Sequence, residues 1–552
     1  MKKIIAWLGC LLLIMNAKGQ TNFLEIEAYR AKAPFELPKV IVPVFKNATY
    51  NITDFGAKND GVTLNTDAIN KAIVTCSNAG GGKVIIPSGN WLTGPITLQS
   101  NVNVHLEKGA LVQFTKDHTQ YPFVRQSSKS NTFVVASPIH GYDLKNVALT
   151  GEGIFDGAGE SWRPVKKNKQ TDAQWKTLLS SGGVLSKDQK IWWPSQEALD
   201  GDDYLKVLKA KGEKPDDKNQ VPARTFLRPY MFYLSNCENV LVEDVTIRNA
   251  PKFVFYPNRC NNLTISGAKI INDWWAQNGD GIDISQCKNV VIYNSFVSCG
   301  DDAICMKSSS NSGDAINTFN LENVLIAKNR VEHGHGGFVI GSNTDGGMRH
   351  IYVTDCEFDG TDVGIRVKSN AGRGGDIQKI YIDNIKMKNI VEEAISFDTY
   401  YADVPAGKTR ADDPTTKRNN LIPEFHDFHI SNVNVESAGF AIFMRGLETQ
   451  KVYDIHLNNV HINAKNGGEI SDVEKIFFNN SSIKIASALP VLNVKNSNNI
   501  EFKNFLFGSK NNQYLKLGDN VSAINVKSAN IDPVKNVEYV GNTTKAAVIT
   551  VP

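Results

Sequence analysis

From residue 144 onward the chain repeats one short phrase: a polar turn containing Asn, then V/I-x-V/I, a break, and a second short apolar alternation. LKNVALTGEGIF (144), CENVLVEDVTI (237), CNNLTISGAKI (260), CKNVVIYNSFV (287) and LENVLIAKNRV (321) are clear copies. MRHIYVTDCEF (348), IQKIYIDNIKM (377), FHDFHISNVNV (425) and VYDIHLNNVHI (452) continue the series, and VEKIFFNNSSI (473) and NNIEFKNFLF (498) are weaker ones. Apolar residues at every second position predict strands with one face buried. The spacing, ~23 to 34 residues, lies in the range of stacked-coil architectures. Leucine-rich repeats would need a stricter leucine pattern and propellers a longer repeat. The pattern predicts an all-β chain, a right-handed parallel β-helix (solenoid).

Two segments depart from that rhythm. Residues 50 to 114 open with a strand and then one helix, with Thr66 or Asp67 as its cap, ending before Gly80-Gly81-Gly82. The glycine triplet lacks the Lys-Ser/Thr of a phosphate loop and reads as a helix end with a turn. Residues 158–230 hold Trp162, Trp175, Trp192 and Trp193 among many lysines and carry no coil phrase. Such an insertion either projects from the stack or packs on its wall.

The ends and the charge narrow the setting. Lys2 and Lys3, the apolar run Ile4 to Met15 and Ala17-Lys18-Gly19 predict an export signal over residues 1–19, placing the mature protein in the periplasm or outside the cell. Residues 20–48, with Pro34, Pro38 and Pro43, read as an extended lead-in, leaving 49–552 as a single β-helix domain. The formal charge of +3 includes Lys2, Lys3 and Lys18, so the mature chain is near neutral. No basic field calls for nucleic acid, and no apolar run after the signal reaches the ~20 residues of a membrane span. A monomer is expected. Removing Cys10 leaves an odd number of cysteines, against a complete disulfide framework. Cys237, Cys260 and Cys287 open three consecutive phrases and should stack as buried free thiols.

The chemistry concentrates in residues 278–308, NGDGIDISQCKNVVIYNSFVSCGDDAICMKS. Asp280 precedes one alternating run, and Asp301-Asp302 precedes the next. In a coiled chain, positions one coil apart lie ~4.8 Å apart across the sheet. The three carboxylates would then share one surface. Like charges so close raise one another's proton affinity, so one can stay protonated while another stays ionised, as glycosidic cleavage requires. His335, within Gly334-His335-Gly336, falls about one coil later, with His333 as the competing histidine. In GIRVKSN (364–370), Ile365 and Val367 fit the inward face, so Arg366 and Lys368 project outward together. They could form a salt-bridge ladder with the acids or hold an acidic sugar.

NGDGID, CGDDAICMKS, GHGGFVIGS and IRVKS, in this order, resemble the signature motifs of glycoside hydrolase family 28, the polygalacturonase family. Residues 50 to 114 resemble the segment that caps the open end of the solenoid in pectin-degrading β-helix enzymes. The resemblance spans roughly residues 48 to 480. It implies Asp301 as general acid, Asp280 and Asp302 as the pair holding the attacking water, and His335 as the residue tuning the acid. It also implies Arg366 and Lys368 as the galacturonate clamp, Asn278 as a further substrate contact, and a tyrosine near the sugar, either Tyr400 or Tyr401. Gly279 stands where the family usually has Thr, and Ala303 where it usually has Cys. The implied reaction is hydrolysis of galacturonan with inversion, without metal or cofactor, and with carboxyls ~6.5 to 9.5 Å apart. A rhamnogalacturonan hydrolase, a calcium-dependent pectate lyase on the same fold and a non-catalytic carbohydrate-binding solenoid are the alternatives. The insertion is expected to wall off one end of the groove and make the enzyme exo-acting.

Overall fold

A computed structural model of the chain describes residues 17–126, 131–309, 319–401 and 421–551. The predicted export signal falls almost wholly outside them.

Strands recur in coils, each pairing in parallel with its equivalents in the coils before and after. Parallel strands joined by crossovers take the right-handed course, giving a right-handed parallel β-helix. One inward column shows how the repeat becomes a core: Phe255, Ile282, Ile304, Phe338 and Ile365 are register partners in successive coils. Each is essentially inaccessible to solvent. A single apolar cluster runs from Ile52 to Val537. Burial of apolar area on this scale, ~25 cal/mol per Å², is the main stabilising contribution.

The Asn of each phrase has a physical cause. Asn146, Asn239, Asn262, Asn289 and Asn323 all lie at φ between 53° and 61°, the left-handed region that Asn tolerates best after Gly. Their amides also bond along the stack: Asn239 donates to Asn146 at 2.9 Å, Asn262 to Asn239 at 3.0 Å and Asn323 to Asn289 at 3.1 Å. Later copies place His350, Lys379, Asp427, Asp454 and Lys475 in the same conformation. The thiols of Cys237, Cys260 and Cys287 stack at the coil corners as expected, and the seven cysteines from Cys76 to Cys356 are buried and free.

The capping helix spans Thr66–Asn78 and lays Ile69, Ala72, Ile73 and Cys76 on the end of the core. Its N-cap is Asn65, one residue before the predicted Thr66 or Asp67. Thr66 is drawn away because its hydroxyl accepts the Gly94 amide at 2.6 Å. Gly80 and Gly81 take φ of 90° and 96°, confirming the helix end and turn, and a Cβ on Gly81 would fall 2.4 Å from the Asn101 carbonyl.

The lead-in is not extended throughout. A helix spans Ala17–Lys32, and extended chain begins only after it, where the prolines lie. Ile26, Tyr29, Phe35 and Val40 cover an outer sheet face formed by Val291, Tyr293, Leu325 and Tyr352. That burial outweighs the open conformation suggested by Pro34, Pro38 and Pro43.

The insertion folds into a small subdomain with helices Asp172–Ser180 and Gln196–Ala210 and a three-stranded antiparallel sheet. Trp175 and Trp192 form its core with Val165, while Trp162 is fully buried against Tyr121 and stacked on His118 at 3.5 Å. These rings hold the insertion together and do not offer faces to a sugar.

Candidate active site

The site lies on the outward face of one sheet of the helix. The strand Ile282–Ser285 follows Asp280, and the next coil supplies Asp302–Lys307. Gly336–Gly341 and Val363–Lys368 follow in the same sheet. Alternation sends Ile282, Ile304 and Ile365 inward, so their neighbours face outward in two columns. Asp283, Cys305, Val339 and Arg366 succeed one another in the first, and Ser285, Lys307, Gly341 and Lys368 in the second.

Asp280, Asp301 and Asp302 meet as the spacing predicts, each with a carboxylate oxygen within 4.8 Å of the others. This is closer than the ~6.5 to 9.5 Å expected of an acid and base with a water between them. Asp280 comes from one coil and the adjacent Asp301 and Asp302 from the next, so the coil pitch sets the separation between Asp280 and that pair. Asp301 is the most accessible, its side chain 20 % exposed against 5 % for Asp280 and 3 % for Asp302.

Their environments push the acids apart. Burial, reinforced by the charge of Asp283, raises the Asp280 carboxyl well above the usual range. Burial acts on Asp302 in the same sense, but Lys368, Lys307 and Arg366 outweigh it and hold that carboxyl below the usual range. Lys368 Nζ lies 2.7 Å from Asp302 Oδ2, and Arg366 Nη1 lies 3.6 Å from Oδ1. One acid thus favours its proton while its neighbour favours its charge.

His335 is the histidine at the site. Its Nδ1 is 3.1 Å from Asp301 Oδ1, its Nε2 is 3.7 Å from Asp362, and its backbone N–H donates to the Asp301 carbonyl at 2.8 Å. The hydrogen bond to Asp301 raises the imidazole's proton affinity against the opposing effect of burial. His333 is exposed, at φ 56° in a turn. Of the two tyrosines, Tyr401 stands beside the cations, its ring centroid 4.6 Å from Lys368 Nζ and 5.5 Å from the Arg366 guanidinium. Tyr400 lies over Arg445. Asn278, at φ 53°, accepts a hydrogen bond from Arg228 Nη2 at 3.0 Å.

Two members were missed in the sequence. Asp283 is fully buried at the edge of the cluster, its carboxyl pushed up to about 6 by burial against the pull of Lys307. Lys307 Nζ bridges Asp283 at 2.9 Å and Asp280 at 3.5 Å. The signal was available: the alternation that exposes Arg366 and Lys368 also exposes Asp283 and Lys307.

The insertion reaches this site at both of its ends. Arg163, fully buried, donates through Nη1 to the Ala250 carbonyl and Asn272 Oδ1, both at 2.7 Å, and through Nη2 to Asp273 at 3.0 Å. Arg228 donates to the Gln277 carbonyl at 2.9 Å. Both therefore grip residues 272–278, the turn that leads into Asp280.

The family model for glycosyl hydrolases family 28 matches residues 200–483. The chain belongs to glycosyl hydrolase family 28. A second model, rhamnogalacturonase A/epimerase, pectate lyase-like, matches residues 49–107, the capping segment. An exo-poly-alpha-D-galacturonosidase of Dickeya chrysanthemi is 29 % identical over 80 % of this chain and 71 % of its own length. An endo-polygalacturonase of Pectobacterium parmentieri is 24 % identical over 74 % of this chain and 86 % of its own. Among solved structures, the Thermotoga maritima exopolygalacturonase superposes with a TM-score of 0.61 at 24 % identity, over 90 % of this chain and 96 % of that one. As a family 28 member the chain is a glycoside hydrolase, and the acid cluster lies inside the matched region.

Proposed function

We propose that this glycoside hydrolase cleaves galacturonic acid linkages in pectin, acting from a chain end. The observation that carries the substrate reading is Arg366. Its side chain is 21 % exposed on the outward face beside the acids, where a sugar carboxylate can reach it. The activities named for the Dickeya and Pectobacterium relatives agree with this. A neutral rhamnose at that position would give Arg366 no carboxylate beyond Asp302.

In this reading Asp301, the most accessible acid, protonates the leaving oxygen. A water between Asp280 and Asp302 attacks the anomeric carbon, its proton passing to the ionised Asp302 as the glycosidic C–O bond breaks. His335 then returns a proton to Asp301, Asp302 releases its proton to solvent, and His335 takes one up from solvent. Asp302 is engaged by Lys368 through one oxygen and faced by Arg366 at the other, which suits it to hold a water rather than to become a covalent nucleophile. That argument supports inversion in place of the carboxyl spacing. Proton NMR of the first anomer released tests it: the α-anomer from an α-linkage would remove inversion.

The export signal and the absence, among the described residues, of any helix long and apolar enough to cross a membrane agree with a pectinase working outside the cytoplasm. Chain-end action rests on the insertion, anchored through Arg163 and Arg228 to the turn before Asp280. Early products on long polygalacturonate decide it. Monomer with slow loss of viscosity supports the wall, and mixed oligomers with a fast drop overturn it. Unsaturated products absorbing in the ultraviolet, lost on chelation, would indicate a calcium-dependent lyase instead.

A further inference from the structure

A second pair of cations flanks the acids on the side opposite Arg366 and Lys368. Lys252 lies one coil upstream of Asp280, since the amide of Val254, two residues on, donates to the Asp280 carbonyl at 2.9 Å. Its ammonium rests over the rings of Tyr230 and Phe253, at 5.2 Å and 5.5 Å from their centroids. The Phe253 ring also carries Lys307 at 5.3 Å, and Lys307 holds Asp283 and Asp280. Lys252 and the acid cluster therefore share one aromatic floor.

Arg228 stands beside it, from the last residues of the insertion. Its hydrogen bonds go to neutral oxygens: the carbonyls of Gln277 and Pro251 and the side chain of Asn278. Among the described residues neither Arg228 nor Lys252 forms a salt bridge with a carboxylate. Burial lowers the proton affinity of Lys252, and the charge of Arg228 lowers it further. The charges of Asp280 and Asp283 oppose this, and Lys307 is the cation bonded to both. A part-buried lysine over aromatic rings, with an arginine close enough to lower its proton affinity, forms a site that an anion completes, and charge-assisted bonds to a carboxylate are among the stronger ones available there.

We propose that Arg228 and Lys252 form a second carboxylate subsite, taking the uronate on the far side of the scissile bond from Arg366, with Tyr230 and Phe253 as its floor. This rests on the galacturonan reading and deepens it. The enzyme would read two adjacent uronates, one on each side of the acids. On the chain-end reading, in which the insertion that supplies Arg228 closes this side, the sugar bound here is the terminal one.

Binding to the catalytically silenced Asp301→Asn protein isolates recognition. Calorimetry would compare digalacturonate with its analogue methyl-esterified only on the non-reducing sugar. The ester should bind about 10- to 100-fold more weakly. Adding Lys252→Met should weaken digalacturonate by a similar factor and the ester by less than threefold, and Lys252→Arg should restore most of the difference. Equal weakening of both ligands by Lys252→Met, or none, overturns the subsite while leaving the galacturonan reading intact. Failure of the Asp301→Asn protein to bind digalacturonate at all overturns both. Arg228→Lys, which keeps the charge but loses the fork, should discriminate acid from ester less well than the parent.

Discussion

Lys368 Nζ sits 2.7 Å from Asp302 Oδ2 with its own side chain only 5 % exposed. The lysine thus serves the acid more directly than it serves a ligand. Arg366, next but one in the strand, is the more accessible of the two cations. Lys368→Met should therefore lower kcat by about 10²- to 10³-fold, with equal losses on free and methyl-esterified galacturonan. Arg366→Met should instead raise KM chiefly on the free acid, its loss shrinking on the ester. Identical substrate dependence for the two variants would defeat this division of roles.

The three carboxylates share one cluster but not one state. Asp280→Asn, Asp301→Asn and Asp302→Asn should each lower kcat by about 10²- to 10⁴-fold. Asn matches Asp in size, so Asp301→Asn should fold normally, while Asp302→Asn, which leaves the buried Lys368 without its carboxylate, should also lower Tm. A variant that keeps near-normal turnover on its best pectic substrate would remove that residue from the mechanism.

Asp283 ties the site to stability. Its carboxyl rises from 3.8 to about 6 on folding, so the folded state holds the proton more tightly than the unfolded one. Stability from this group is present below pH 4 and is lost as pH rises through about 6. Asp302, shifted the opposite way, favours the folded state above the ordinary carboxylate range and loses that contribution as pH falls. As pH rises from 4 to 6, Asp283 loses its contribution together with Asp280, which is raised in the same sense. Asp283→Asn should flatten the fall in Tm across that window, and a variant whose Tm falls as steeply as the parent's would show that Asp283 is not its source.

How far the sequence could be read follows from what each signal encodes. The coil phrase encodes local backbone: an αL corner at Asn239 or Asn289 and an alternation burying Ile282 or Ile304. Both are properties of a few adjacent residues, so fold and acid cluster were legible. The closeness of the carboxylates was legible too, from the ~4.8 Å between neighbouring coils; the wider spacing of ~6.5 to 9.5 Å came from the reaction that the resemblance implies and not from the chain. The role of Lys368 was half legible. Alternation placed it outward, but its burial against Asp302 depends on neighbours one and two coils away. The helix Ala17–Lys32 was obscured by the prolines after it, and its support comes from Tyr293 and Tyr352, hundreds of residues distant. Asp283 and Lys307 obey the same alternation as Arg366 and Lys368, and went unread although NGDGID and CGDDAICMKS contain them, because attention stayed on the acids at the start of each strand.

The insertion's tryptophans suggested a sugar-binding wall, yet Trp162, Trp175 and Trp192 are interior. Arg163 provides the link to the groove. Its guanidinium is wholly buried and joins Asn249, Ala250, Asn272 and Asp273 in the coils before the acids. Replacing it with Met would leave those acceptors without a donor, and Asp273 without its cation. Asp273 is half exposed, so the cost comes mainly from the buried acceptors left unsatisfied, about 1 to 3 kcal/mol, concentrated where the insertion meets residues 272–278. The solenoid core, whose contacts lie elsewhere, should keep its own transition. If chain-end action depends on the wall, Arg163→Met should release a rising share of oligomers from long polygalacturonate and lose viscosity faster than the parent. Trp175→Ala, which hollows the insertion without touching its anchor, should lower Tm with a smaller change in product size. A destabilised Arg163→Met protein that still released only monomer would show that the groove is closed by something other than the anchored insertion.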